Sequence, residues 1–382
     1  MAYSFYRKPL EGLFMNTYHR LFAPIEHVPP SSYFAGGNSA VGYRAIPGTL
    51  LDEEKLNKLY ILKGGPGTGK STFMRKIAEN AEERRLPVTY YYCASDPDSL
   101  DGIVISKGTR RIGVLDGTPP HVKEATLPGV CGEYVNLGMF WASAALEAKR
   151  EEIAALTREK TELFTTAARY LGTAEILDKE TERCIGSVIL ENKMEQAIRR
   201  LLLQFPEGKE KKEPEKILLH AHTMKGNVYL SSAINAAKIR CYLLESNDIS
   251  RFYLRRLGEG LAARGIRTQL AVSPIRHDVP LAILLPEYAV SLTVSSEKSA
   301  EAALNVNMAR FIDKNALLAK RSDYRTLASQ RKEMVQSAEV SLQKAARSHF
   351  ALEALYAPAM DFEKIGALTE ALSTDIFRRL EV

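Results

Sequence analysis

The residues whose types and spacing most clearly suggest chemistry are Gly64, Gly65, Pro66, Gly67, Thr68, Gly69, Lys70 and Ser71, followed by Thr72. They fit G-x-x-x-x-G-K-[ST], in which glycines let successive backbone N–H groups converge on phosphate oxygens. In that pattern Lys70 is expected to reach the β- and γ-phosphates, and the Ser71 hydroxyl to bind Mg²⁺. Asp116 closes the apolar run Ile112-Gly113-Val114-Leu115. An acid at the end of such a strand, downstream of the loop, is expected to be the second Mg²⁺ ligand. Gly117 follows it where many ATP-hydrolysing domains carry a glutamate that activates water. Either the attacking group is positioned otherwise, turnover is slow, or the acceptor is not water. His121 is a candidate for orienting water or contacting phosphate. Asp96, Asp98 and Asp101 lie just past another apolar run, where a carboxylate could take a proton from a substrate hydroxyl. The plainer reading makes Asp96 an N-cap, with Pro97 at the first position of a helix.

Positioning these groups requires a strand before the loop and a helix after it. Leu59-Tyr60-Ile61-Leu62 is the strand, and Thr72–Arg85 reads as a helix with Phe73, Ile77 and Ala81 on one face. Pro87–Cys93 and Ile112–Asp116 are further strands, and Tyr33–Tyr43 reads as a β-hairpin around Gly37-Asn38. Strands alternating with helices predict an α/β fold of the P-loop NTPase type, three layers α/β/α with a parallel sheet, and a ligand at the carboxyl ends of the strands. From about Phe140 to Phe205 glycine is rare and the apolar spacing is helical, as in a hairpin or small bundle.

The second half repeats the first. Arg75, Glu79 and Arg84 recur as Arg255, Glu259 and Arg264 at an offset of 180 residues, and Asp98 recurs as Asp278. That recurrence favours a structural role for Asp98 and leaves Asp96 and Asp101 as the better functional candidates. Residues 145–174 match 316–345 at an offset of 171, with ten identities in 30 positions. The loop does not survive the repeat: its place holds Leu244–Arg251, without glycine or lysine, and the place of Asp116 falls near Thr293. The expected organisation is an N-terminal extension over 1–32, a nucleotide-binding domain over 33–140, helices over 141–206, a charged linker over 207–215, a degenerate copy over 216–300 and helices over 301–382. Arg251, Arg255 and Arg256 open the helix that replaces the loop helix, and one of them is a candidate arginine finger for the first site. Glu133 and Asn136 are candidate groups at the site's edge.

The chain is 45% hydrophobic and 26% charged, ordinary for a globular protein. Its net charge of +6 is mild: it permits nucleic acid or an acidic partner and argues for neither, and without an aromatic-basic stripe nucleic acid is not the expected partner. No apolar run suits a membrane helix. Four dispersed cysteines, Cys93, Cys131, Cys184 and Cys241, read as free thiols of a reducing cytoplasm.

Ile61–Thr72, Ser95–Gly102, Leu115–His121 and Val135–Gly138 together resemble a group of bacterial proteins described as P-loop ATPases with two tandem halves. The resemblance covers most of residues 20–205 and the second half more faintly. It implies ATP binding; members of that group can carry a second phosphate loop, which this chain lacks. The expectation is a single ATP- and Mg²⁺-dependent hydrolytic site in the first half. The second half would be regulatory, passing the nucleotide state to a protein partner or to a second copy of the chain. The alternatives are a small-molecule kinase, with Asp96 or Asp101 as base and the helices as lid, and a nucleotide-binding scaffold without turnover.

Overall fold

A computed structural model describes residues 32–46, 52–208, 210–244, 247–299 and 302–381. The N-terminal extension lies almost wholly outside these residues. Strand β1 (Ser32–Phe34) leads into a hairpin of β2 (Gly36–Ser39) and β3 (Gly42–Ala45). Then come β4 (Lys58–Lys63), helix α1 (Lys70–Glu83), β5 (Val88–Tyr92), β6 (Leu100–Lys107), β7 (Arg110–Asp116) and β8 (Gly132–Asn136). A long helix α2 (Arg150–Gly186) and a shorter α3 (Glu191–Leu202) complete the first half. The second half runs β9 (Glu215–Ile217), the hairpin β10 (His220–Thr223) and β11 (Gly226–Tyr229), β12 (Ile239–Leu244), α4 (Asn247–Ala263), β13 (Gln269–Val272), β14 (Pro280–Leu285), β15 (Val290–Ser295) and β16 (Leu304–Asn307). It ends with α5 (Arg321–Tyr356) and α6 (Phe362–Glu381).

Two six-stranded sheets result, ordered β1-β5-β6-β7-β4-β8 and β9-β13-β14-β15-β12-β16. The order is the same strand for strand, so the repeat in the sequence is a repeat of topology. The details match as well. A register shift falls at Tyr91/Tyr92 in one copy and at Ala271/Val272 in the other. Arg75 donates to the main-chain carbonyl of Asp98, and Arg255 to that of Asp278.

The sheets are mixed, not parallel as expected. β6 runs antiparallel to both β5 and β7, as β14 does to β13 and β15. The connections explain this. Seven residues separate β5 from β6, and two separate β6 from β7. A parallel crossover needs a dozen or more. The expected helix after Asp96 is absent for the same reason: Ser95–Ser99 is a turn that sends the chain straight back as β6. The early hairpin also differs. Its turn is at Ala40-Val41 rather than Gly37-Asn38, and Tyr33-Phe34 pairs with β5 as an edge strand.

Alternation along β4 shows how the layers meet. Tyr60 and Leu62 face α1 in a core with Phe73, Met74 and Ile77. Leu59 and Ile61 face the other way, toward Ala271, Ala282 and Leu284 of the second sheet. The sheets therefore pack back to back. Helices α2 and α5 cross antiparallel, burying Ala167 and Leu171 against Ala338 and Leu342, four residues that are equivalent in the repeat. Beyond that crossing, the short helices are exchanged between halves. α6 covers α1, with Ile376 and Phe377 in the first core and Asn80 donating to Ser373 at 3.4 Å. α3 covers α4, with Met194 and Ile198 in the second core and Arg256 paired to Glu191 at 2.9 Å. Paired backbone contacts repeat the relation: Asp361 N–H donates to Phe140 O at 2.9 Å, and Leu190 N–H to Phe311 O at 2.8 Å.

Candidate functional site

β4 ends at Lys63, and the chain turns through Gly64–Gly69 into α1. Gly67 (φ +65°) and Gly69 (φ +80°) hold left-handed backbone that a side chain would strain. At Gly67 a Cβ would also lie 2.7 Å from the carbonyl oxygen of Glu353, so α5 sits directly against the loop. Lys70 curls back over the loop, donating to Gly65 O at 2.7 Å. Its ammonium is 3.7 Å from the Asp116 carboxylate, which β7 delivers beside β4 through the parallel pairing Leu62–Asp116. Thr118 fixes Asp116 by donating from its N–H (2.9 Å) and its hydroxyl (2.6 Å) to one carboxylate oxygen. The other oxygen is the one facing Lys70. Ser71 Oγ accepts from Leu100 N–H at 3.0 Å, tying the loop helix to the start of β6.

These groups line one cavity of about 890 Å³, together with Gly64–Gly67, Asp96, Asp101 and His121. Of the expected site residues, Thr68, Gly69 and Thr72 stand outside it. Thr68 is buried with its hydroxyl on Gly65 O at 2.9 Å, and Gly69 caps α1.

The two acids past β5 part company. Asp96 is occupied: Lys225 of the β10–β11 turn pairs with it at 3.0 Å, Ser99 Oγ donates to it at 2.9 Å, and Asp98 N–H at 3.4 Å. Asp98 is exposed and also meets Lys225. Asp101 is 2% exposed, 3.3 Å from His121 Nε2, and its second oxygen has no hydrogen-bond partner. Burial pushes its carboxyl up to about 6, against the pull of His121. Cys93, at the end of β5, lies 4.0 Å from the same histidine nitrogen. Tyr43 packs edge-to-face on the His121 ring, with centroids 4.2 Å apart.

Three further charged groups enter the cavity from the long helices, and sequence reasoning missed them: Lys160 of α2 and His349 and Glu353 of α5. Burial lowers the Lys160 ammonium, lowers His349 to about 4 and raises the Glu353 carboxyl. A signal for them existed. At the 171-residue offset they correspond to Arg331, Asp178 and Glu182, all ionisable.

Those counterparts meet in the second half. Arg251 stands at the place of Ser71, and Arg276 at that of Asp96. Arg251 pairs with Asp248 at 2.7 Å and Asp178 at 3.0 Å. Arg276 pairs with Glu182 at 2.6 Å and Asp178 at 2.9 Å, and Arg331 reaches Asp178 at 2.6 Å. The arginine-finger expectation therefore fails. Arg251, Arg255 and Arg256 satisfy Asp178, Asp248, Glu182, Glu191 and Glu195 of their own surroundings. Glu133 and Asn136 are also not at the cavity. Glu133 pairs with Lys58 at 2.9 Å, and Asn136 caps the turn of 3₁₀ helix that follows β8.

The structure thus defines a mixed α/β protein with a glycine-rich strand–loop–helix element opening into a cavity. A family model described as "Nephrocystin 3, N-terminal" matches residues 49–103, the segment from just before β4 to the first residues of β6. No curated protein and no solved structure matches the chain. Among the described residues, no helix is long and apolar enough to cross a membrane.

Proposed function

We propose that the first-half cavity binds a nucleoside triphosphate, ATP in the first instance, and hydrolyses it. One observation carries this reading: Lys70 and Asp116, one from the loop and one from the neighbouring strand, converge to 3.7 Å over a glycine loop within a single cavity. Glycine backbone and the start of α1 suit phosphate oxygens. Lys70 supplies positive charge for the transferring phosphoryl group. The Asp116 oxygen that faces Lys70 and the Ser71 hydroxyl are hard oxygen donors of residues lining the same cavity, and they fit Mg²⁺. Such an ion would offset charge developing on the β- and γ-phosphates. Asp101 and His121 stand in the cavity wall. The volume fits a nucleotide-sized ligand. The family match falls on the same loop, and the tandem-ATPase resemblance of the surrounding motifs agrees with it.

The test is nucleotide-dependent thermal stabilisation. ATP with Mg²⁺ should raise the melting temperature of the wild type and leave Lys70→Ala unmoved. Equal stabilisation of both would sink the proposal.

A phosphotransferase is the second reading, favoured by Asp101, a buried acid in the wall of a roomy cavity whose second oxygen has no hydrogen-bond partner. It predicts ADP formation only when an acceptor hydroxyl is supplied. Asp96, the other expected base, is unsuited to that role because Lys225, Ser99 and Asp98 already hold its oxygens.

A further inference from the structure

We propose that Cys93, Asp101 and His121 form a binding site for a divalent transition-metal ion, Zn²⁺ fitting best, separate from the Ser71–Asp116 pair. The three donor atoms lie within 4.8 Å of one another. A tetrahedral ion with bonds of about 2.0–2.3 Å holds nitrogen, oxygen and sulfur donors roughly 3.3–3.6 Å apart. Asp101 Oδ1 and His121 Nε2 are already at 3.3 Å. Cys93 Sγ is at 4.0 Å from the same nitrogen, about half an ångström more than such an ion needs.

The surroundings suit a cation. The Asp101 and His121 side chains are 3% and 8% exposed. Asp101 Oδ2 has no hydrogen-bond partner. A buried carboxylate beside a thiol is costly unless positive charge compensates it. With Nε2 on the metal, the imidazole proton resides on Nδ1. Ser95 N–H donates to Cys93 Sγ at 3.3 Å, which stabilises a thiolate. Binding would exchange the Cys93 proton, released to solvent, for a sulfur–metal bond. Thiolate and imidazole select a borderline ion such as Zn²⁺ over Mg²⁺, which prefers oxygen. Three protein ligands leave a fourth position, and all three line the cavity, so that position opens toward the ligand.

The second half is an internal control. The place of Cys93 holds Ser273, the place of Asp101 holds Leu281, and residues 290–303 contain no histidine. The trio is lost together with the phosphate loop, whereas scaffold contacts such as Arg75 to the Asp98 carbonyl persist.

The role of this ion in turnover rests on the nucleotide reading, but its binding does not, and the experiment separates them. The full-length chain, stripped of metal and reloaded, is expected to retain one Zn²⁺ per chain after dialysis. Loaded with Co²⁺ it should show a thiolate-to-cobalt charge-transfer band. Cys93→Ser should lose the band and weaken Zn²⁺ binding more than about 100-fold, a larger loss than removing an outer-shell partner causes. His121→Ala should also weaken binding strongly. Lys70→Ala should keep both the band and the zinc while losing nucleotide binding. A folded wild type that retains no zinc, or a Cys93→Ser variant that retains as much as the wild type, overturns the proposal. Loss of the band in Lys70→Ala would overturn the independence of the two sites.

Discussion

Above the carboxyl ends of β4 and β7, Lys70, Asp116, Lys160 and Glu353 border a cavity of about 890 Å³. At the matching place in the second half, Arg251, Arg276 and Arg331 are locked onto Asp178, Glu182 and Asp248. The strand order and the register shift are the same in both, and the α2–α5 crossing is common to them. What differs is whether charged side chains leave room for a ligand or use one another up. In the second half, guanidinium groups stand at the places of Ser71 and Asp96, and helix carboxylates neutralise them. The degenerate site is therefore not vacant. It is a buried ionic joint between α2, α4, α5 and the β13–β14 turn.

The comparison breaks most visibly at Asp178. Asp178→Asn leaves three guanidiniums short of a shared carboxylate and should cost roughly 3 kcal/mol of stability, read by urea denaturation, because breaking a buried pair strands the partner charge. Nucleotide affinity should barely move. Burial alone would raise the Asp178 carboxyl, but the hydrogen bonds and charge of Arg251, with Arg331 and Arg276, hold it below the ordinary range. The contribution is thus present above the unfolded value and lost as pH falls through the folded one, so variant and wild type should converge in strong acid.

Lys70→Ala is the converse. Losing a charge-assisted contact to phosphate should weaken nucleotide binding by roughly 100-fold, about 2.7 kcal/mol. Stability without ligand should fall less than in Asp178→Asn, since Lys70 leaves behind one carboxylate at 3.7 Å and the Gly64 and Gly65 carbonyls rather than three guanidiniums.

Glu353 and Glu182 occupy equivalent positions, and Glu→Gln should act on them in opposite directions. Burial raises the Glu353 carboxyl, so its folded value lies above its unfolded one. Its contribution is then present at low pH and lost as pH rises past the mid-4s. Glu353→Gln should stabilise the neutral-pH protein by less than about 1 kcal/mol, given the group's partial exposure. Glu182→Gln should destabilise it, as Arg276 and Arg255 lose their partner at 2.6 and 3.0 Å. Destabilisation in both variants would contradict the division between an open site and a filled one.

The smallest effect checks the shared scaffold. Asn136 and Asn307 cap equivalent 3₁₀ turns, accepting from Gly138 N–H at 3.0 Å and Ala309 N–H at 2.8 Å. Each Asn→Ala change should cost about 0.5 kcal/mol, equally in the two halves.

Much of this was legible in sequence, and the reasons are local. An apolar run, spaced glycines and a lysine define β4, the loop and α1 within some 25 residues, and Asp116 is marked by the strand it ends. β6 was not foreseen because its first residues, Leu100-Asp101-Gly102, followed a run of acids and read as a site loop. The apolar Ile103-Val104-Ile105 behind them was the strand signal. The Asp96 cap failed because capping residues and turn residues are the same types. Lys160, His349 and Glu353 were hidden because helical periodicity tells which face is apolar but not which distant loop the other face will meet.

The exchange of α3 and α6 bears on how the chain is made. The first sheet leaves the ribosome long before Ile365, Leu372, Ile376 and Phe377, which seal α1. The first half must wait, with an apolar helix face uncovered, until α6 has been made. Cutting the chain in the linker near 210 should therefore yield two sticky fragments that recover solubility only when mixed, as the protomers of a swapped dimer would.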